Sequence, residues 1–146
     1  MKKFTFPFLL LCFSCEEETN PDQNSEFLFV ASEGNYGDSN GSITMFNGNE
    51  KIHTLENVGD VVQSILVHDD KLFVAVNNSH LIKRFTITEA GLQLPGIQIS
   101  TENSSPREMV VLEDNLYFTN WFSKDIKVLN LTTFSIEESI SIDGVP

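Results

Sequence analysis

The chain has 146 residues but only two cysteines, Cys12 and Cys15, both within its first 15 positions. Everything downstream is therefore without a disulfide, a thiolate nucleophile or a zinc–thiolate centre. Histidine is scarce as well. His53, His68 and His80 are the only three, they are scattered, and no two have a metal-ligand spacing, so surface or cross-strand roles are expected for them. Basic residues number 9 against 21 acidic ones, for a net charge of -12. Without a basic surface to displace phosphate counterions, a nucleic-acid role is disfavoured, as is electrostatic docking on anionic lipid. No GxSxG elbow, no phosphate-cradling glycine loop and no HExxH motif occurs, so no catalytic apparatus is expected. The segment Gly37-Asp38-Ser39-Asn40-Gly41-Ser42 lacks the alternating acids and closing Glu of a calcium loop, and Asn40-Gly41 is expected to be a turn with positive φ. Trp121 is the only tryptophan and there are two tyrosines, yet twelve phenylalanines. Phe in that number suits strands that pack on both faces.

The amino terminus carries a separate signal. Lys2 and Lys3 precede an apolar run from Phe4 to Phe13, too short for a membrane-spanning helix, which needs about 20 residues. Its size and flanks are those of a secretory signal. Ser14-Cys15 closes it in a way that resembles the lipobox of bacterial lipoproteins, with Cys15 the expected lipidation site. Cys12 stands where that pattern usually has an aliphatic residue. The alternative is an ordinary signal cleaved near Ser14. Residues 1–15 are thus read as a signal peptide and residues 16–25 as an acidic tether, since Glu16 to Ser25 contains no apolar residue. The run Glu16-Glu17-Glu18 resembles the surface-export cue of some Gram-negative lipoproteins. The implied location is the outer membrane, held by a lipid anchor alone, on its cell-surface or periplasmic face.

The remaining chain, 26–146, repeats itself. Asp69–Ile87 aligns without a gap on Glu113–Leu131, and Leu72/Leu116, Phe73/Tyr117, Ile82/Ile126 and Phe85/Leu129 are each 44 residues apart. Leu28 and Val30 fall 44 before Leu72 and Val74, after which a five-residue insertion intervenes before Ile43 and Phe46. A repeat of about 40–45 residues with four short strands is a propeller blade. The units run over about 26–56, 57–102 and 103–146. Strands are expected at 27–31, 42–46 and 51–55, then at 62–67, 71–76, 81–87 and 92–99 (interrupted at Pro95-Gly96), then at 108–112, 115–119, 126–131 and 134–142. Asp69-Asp70 and Glu113-Asp114 hold equivalent places in the repeat and are expected to be hairpin turns, not a carboxylate pair. A β-sandwich, the other all-β option, requires no fixed period.

The segments LYFTN, DIKVLNL and SIEESISIDGVP resemble the YVTN-type repeat of YncE-like bacterial β-propellers. The opening FLFVASEGNYG with GSITMFNG resembles the start of propeller lipoproteins of that group, with Ser32 where Asn is usual. The resemblance covers Glu26 to Pro146. It implies an all-β propeller of four-stranded antiparallel blades, seven when complete, of which this chain carries just under three. The missing inner strand of the first unit and the stop at Gly144-Val145-Pro146, a blade junction, lead to the expectation that this is the front part of a longer protein.

In propellers the loops joining second to third strands, and fourth strands to the next blade, gather on one face. Those loops nominate Glu33, Asn35 and Tyr36, then Asp60, then Asn78 and His80, then Arg107, and finally Asn120, Trp121 and Phe122 as ligand-binding residues. Aromatic platforms with amide donors suit a flat, polar-edged ligand. Competing roles are a cap on the wedge between blades for Trp121, and turn formation for Asn77 and Asn120. Strand alternation cannot bury both Trp121 and Phe122, so at least one is expected at the surface. The expected function is a non-catalytic binding module without a cofactor or metal. The resemblance implies a small-molecule ligand such as a corrinoid (cobalamin), passed to a TonB-dependent transporter. The alternatives are an envelope protein-interaction scaffold, or a propeller enzyme whose catalytic residues lie in other blades.

Overall fold

The computed structural model describes residues 26–144. The signal peptide, Cys15 and the tether lie outside the described residues. Eleven strands form three antiparallel sheets. The first blade comprises β1 (Phe27–Ser32), β2 (Ser42–Asn47) and β3 (Glu50–Leu55). The second comprises β4 (Val62–His68), β5 (Lys71–Val76), β6 (Leu81–Thr88) and β7 (Gly91–Ser100). The third comprises β8 (Pro106–Leu112), β9 (Asn115–Asn120), β10 (Asp125–Asn130) and β11 (Ser135–Ser141). Within each sheet neighbours in sequence are neighbours in space, as a meander requires.

The hairpins follow from the turn residues. His68 pairs with Lys71, and Leu112 with Asn115, leaving Asp69-Asp70 and Glu113-Asp114 as two-residue loops. Asp69 and Glu113 take φ of 51° and 54°, a left-handed conformation that acidic turn residues tolerate. These pairs are turns, as their repeat positions indicated.

Two local expectations need correction. Asn40-Gly41 is not a positive-φ turn, because the positive φ falls on Ser39, at 54°. Gly41 is instead a point of close approach: a Cβ there would lie 2.5 Å from Val62 Cγ2 and 2.9 Å from the Glu33 and Gly59 carbonyl oxygens. Likewise β7 is not broken at Pro95-Gly96. It runs on with a bulge, Arg84 facing Ile97 and Thr86 facing Gln93, so that Leu94, Pro95 and Gly96 crowd opposite Phe85. Proline cannot donate to the ladder and the bulge removes it from the register. Gly96, at φ 70°, lets the bulged backbone lie against the Phe85 ring.

Alternation within β5 explains how the blades stack. Leu72, Val74 and Val76 point to one side and join Ile43, Val58, Val62, Phe85 and Leu92, with Phe29, Ala31 and Leu55 packed against them. Phe73 and Ala75 point to the other side, where Ile82, Leu116, Phe118 and Leu129 complete a second core. A central blade is therefore apolar on both faces, which is why β5 is nearly continuous hydrophobic sequence. Each large side chain so buried contributes about 1.5–3 kcal/mol. Polar links cross the same seams. Ser64 Oγ donates to the Arg107 carbonyl, Asn77 Nδ2 to the Pro106 carbonyl at 3.0 Å, and an Arg84 Nη to the Leu131 carbonyl at 3.1 Å.

The outer faces of the first and third blades show what the repeat would bury next. Leu28 and Val30, 44 residues before Leu72 and Val74, are exposed on one; Val110 and Leu112 are exposed on the other. The groove beside Val110 and Leu112, of about 460 Å³, is lined by Tyr117, Thr119 and Ile126 as well. Tyr117, Thr119 and Ile126 sit at the repeat positions of Phe73, Ala75 and Ile82.

Candidate functional site

The loops at one end of the sheets converge where the sequence places them, and backbone hydrogen bonds tie them together. The linker from β3 to β4 accepts at its Asp60 carbonyl from Asn78 N–H (3.1 Å), and Asp60 N–H donates to Ser79 Oγ (2.9 Å). The Asp60 carboxylate takes the Gly37 N–H at 2.9 Å and the Asn78 side-chain amide. Asp60 and Asn78 thus pin the long first-blade loop to the second blade. The Asp60 carboxylate and the Asn78 side-chain amide N–H serve that bracing.

The loop from β7 to β8, Thr101–Ser105, does the same for the third blade. Glu102, Asn103 and Ser105 all take positive φ, at 59°, 60° and 56°. This contortion turns the Ser104 and Ser105 carbonyls toward the next loop, where they accept from Phe122 N–H and Trp121 N–H, each at 2.9 Å. Ser105 N–H donates to His80 Nδ1 at 3.1 Å, and the Ser105 hydroxyl lies 3.1 Å from the same atom. Because Nδ1 accepts the backbone hydrogen, the imidazole carries its own on Nε2. Thr101 N–H caps the His80 carbonyl at 2.9 Å.

Asn120 does not present itself to a ligand. It is fully buried, its Oδ1 accepts from Ser104 Oγ at 2.6 Å, and its Nδ2 donates to the Asp125 carbonyl and carboxylate, both at 3.1 Å. It braces the loop from the end of β9 and is not itself a turn residue. Burial pushes the Asp125 carboxyl upward. Hydrogen bonds from Ser123 and Ser139, the Lys127 charge and the Asn120 amide together outweigh it and hold the group below 3.8. Lys127 in turn spans Glu102 (3.1 Å) and Asp125 (3.8 Å).

Braced in this way, the loop thrusts two large aromatics outward. Trp121 is 53% exposed and Phe122 70% exposed. The expectation that at least one would be exposed is met by both. The Arg107 guanidinium lies over the Trp121 ring at 5.4 Å. Trp121 and Phe122 have ring centroids 6.2 Å apart, and Phe122 and His80 are 6.1 Å apart. Arg107, Trp121, Phe122 and His80 therefore form a continuous ladder along the rim, crossing from the third blade to the second. Glu33, Asn35 and Tyr36 stand apart on the first-blade loop. Tyr36 is 81% exposed, Glu33 is exposed with its carbonyl receiving Val62 N–H at 3.1 Å, and Asn35 N–H is capped by Asn40 Oδ1 at 2.7 Å. The parts that sequence reasoning missed are the supports, Ser104 and Asp125, whose roles depend on contacts across a loop and not on any motif.

Among the described residues no group of three or more His, Cys, Asp or Glu could hold a metal ion. No helix there is long and apolar enough to cross a membrane. The groove on the third blade's outer face is apolar and lacks the few convergent polar groups that orient a ligand. It is distinct from the rim and lies at the repeat positions through which the second blade packs on the third.

The architecture defines the class: three consecutive antiparallel blades of a β-propeller. No protein-family description matches the chain and no curated protein matches it. Among solved structures it is similar to the β-propeller domain of Cps50 (Swd1) from Myceliophteria thermophila, with a TM-score of 0.62 and 10% identity over 78% of this chain and 37% of that one. It is similar to a chain of a nidogen/laminin complex, with a TM-score of 0.59 and 12% identity over 80% of this chain and 43% of the other. Apo AztD from Citrobacter koseri gives 0.54 and 17% identity over 81% and 33%. The chain spans less than half the length of each of these structures. The likeness shows the propeller fold.

Proposed function

We propose that the protein is a non-catalytic binding module whose loop face holds a flat ligand against Trp121 and Phe122. The observation that carries this reading is the exposed ladder of Arg107, Trp121, Phe122 and His80, held in place by buried hydrogen bonds behind it. Large aromatics left in water cost free energy unless a ligand covers them, and a loop so heavily braced presents them with little entropy left to lose. A propeller hosts many functions, so the site carries this proposal and the fold does not.

The finer version follows the resemblance of LYFTN and SIEESISIDGVP to YVTN-type repeats. In it the protein is an exported lipoprotein, anchored to the outer membrane through Cys15, that captures a corrinoid such as cobalamin for a TonB-dependent transporter. Titrating the protein with cobalamin while following Trp121 fluorescence tests it directly, since no other tryptophan contributes. Saturable quenching supports the corrinoid reading, and its absence rules that reading out. A second reading, a protein-interaction scaffold, draws on the same exposed Tyr36, Trp121 and Phe122, since aromatic and arginine residues dominate protein-interface hot spots. Pull-down by an envelope protein that is lost in Trp121→Ala, without any small-molecule quenching, would favour it.

A further inference from the structure

Arg107 stands on the rim beside the exposed aromatics. Among the described residues it makes no salt bridge, as is also true of Lys51, Lys83, Arg84 and Lys124, in a protein of net charge -12. Its Nε is shut off from solvent and has no hydrogen-bond partner. An acid arriving from the rim would therefore meet the two Nη groups of the guanidinium and not Nε. The backbone of Arg107 is fixed from behind, its carbonyl receiving Ser64 Oγ and the neighbouring Pro106 carbonyl receiving Asn77 Nδ2. The guanidinium is also fixed from the front by the Trp121 ring. At the other end of the ladder His80 is locked with its hydrogen on Nε2. The exposed aromatic platform is thus flanked by two groups that donate hydrogen bonds, and no carboxylate joins the ladder.

Resting on the rim-binding reading above, we infer that this site selects a planar ligand that carries an acidic group, carboxylate or phosphate, with the acid on Arg107 and the flat body on Trp121 and Phe122. A guanidinium offers a rigid fork that matches either acid with two parallel hydrogen bonds. The inference runs against the protein's overall charge, which by itself repels anions. An anion preference must therefore be local, and salt must weaken it by screening the Arg107 contact.

The test uses matched nitroaromatic quenchers read by the single tryptophan. The probes are 4-nitrobenzoate, 4-nitrophenyl phosphate and the neutral 4-nitrobenzamide. Either anion is expected to bind at least about tenfold more tightly than the amide, as a charge-assisted pair predicts. Arg107→Gln should abolish the difference, and Arg107→Lys should restore only part of it. Whichever anion binds more tightly identifies the acid. Equal binding of the amide and both anions would overturn the charge assignment while leaving the rim as a binding site. Failure of all three probes to quench saturably would overturn the rim reading together with it.

Discussion

The repeat makes a sharp energetic prediction, because one strand position occurs in two settings. Phe73 on β5 and Tyr117 on β9 are 44 residues apart, share the same place in their hairpins and point to the same side of their sheets. Phe73 is 1% exposed and packs into the core with Leu116, Phe118 and Leu129 of the next blade. Tyr117 lies on the third blade's outer face, in the open groove with Val110 and Leu112. Truncating a fully buried Phe to Ala removes its transfer free energy and leaves a cavity, at a cost of about 3–5 kcal/mol. The same truncation at Tyr117 opens no enclosed cavity and should cost about 1 kcal/mol or less. Urea unfolding followed by far-ultraviolet circular dichroism and by Trp121 fluorescence measures both. Because the whole stability of a domain is about 5–15 kcal/mol, Phe73→Ala could leave too little fold to titrate. Phe73→Leu, which keeps most of the volume, then serves in its place with a smaller loss and the same ordering. Equal losses at the two positions would refute the assignment of Phe73 to a blade–blade core, and with it the stacking that makes this chain a propeller.

Three further outcomes are expected. Asn120→Ala should cost about 1–3 kcal/mol, since it strands the buried Ser104 Oγ and removes one of the hydrogen bonds to Asp125, and should also blunt Trp121 fluorescence changes on ligand addition by loosening the loop. Gly41→Ala should destabilise the first blade, because the new methyl meets Val62 and two carbonyl oxygens at under 3 Å, and hydrogen exchange should speed up first around Ser42–Asn47. The depressed Asp125 carboxyl contributes stability that is present above its unfolded value of 3.8 and is lost as pH falls through its lower folded value. Acid unfolding curves of the native protein should therefore steepen below about pH 4, and Asp125→Asn should flatten that limb.

The legibility of this fold in its sequence follows from how propellers bury surface. Every blade must show apolar side chains to both neighbours at fixed strand positions, so the burial requirement itself writes a period into the chain, here 44 residues. Strand bounds read from that period lie within one or two residues of those in the structure, and the Asp69 and Glu113 turns fall where equivalence puts them. The errors arose where the backbone departs from the period for a local steric reason. Gly41 looked like a turn glycine beside Asn40, but its role is to let three backbone segments meet, a contact between residues far apart in sequence. Pro95-Gly96 looked like a break, but a bulge against Phe85 absorbs it. Rim residues were legible as a group because loops of equal rank in a repeat must gather at one end. Their division into presented and bracing residues was not, because Asn120 and Trp121 are adjacent in sequence and opposite in fate.

That division is itself explained by strand alternation. Asn120 is the last residue of β9 on the face that packs inward, so it is committed to the core and must satisfy its amide there, which Ser104 and Asp125 do. One residue later the chain has left the ladder, and Trp121 N–H and Phe122 N–H bond instead to the carbonyls of the Thr101–Ser105 loop. Those two hydrogen bonds turn both rings away from the core at once, which a continuing strand could not do. The positive-φ residues Glu102, Asn103 and Ser105 are what place the receiving carbonyls, so local backbone cost in one loop supports the exposed aromatics of the next. Ser105→Pro separates these roles: it removes the N–H that holds His80 and forbids the positive φ, while leaving every aromatic in the chain. On this argument the variant should keep the circular dichroism of its sheets, shift the Trp121 emission and lose ligand quenching. Unchanged emission and quenching would show that the rim does not depend on that loop.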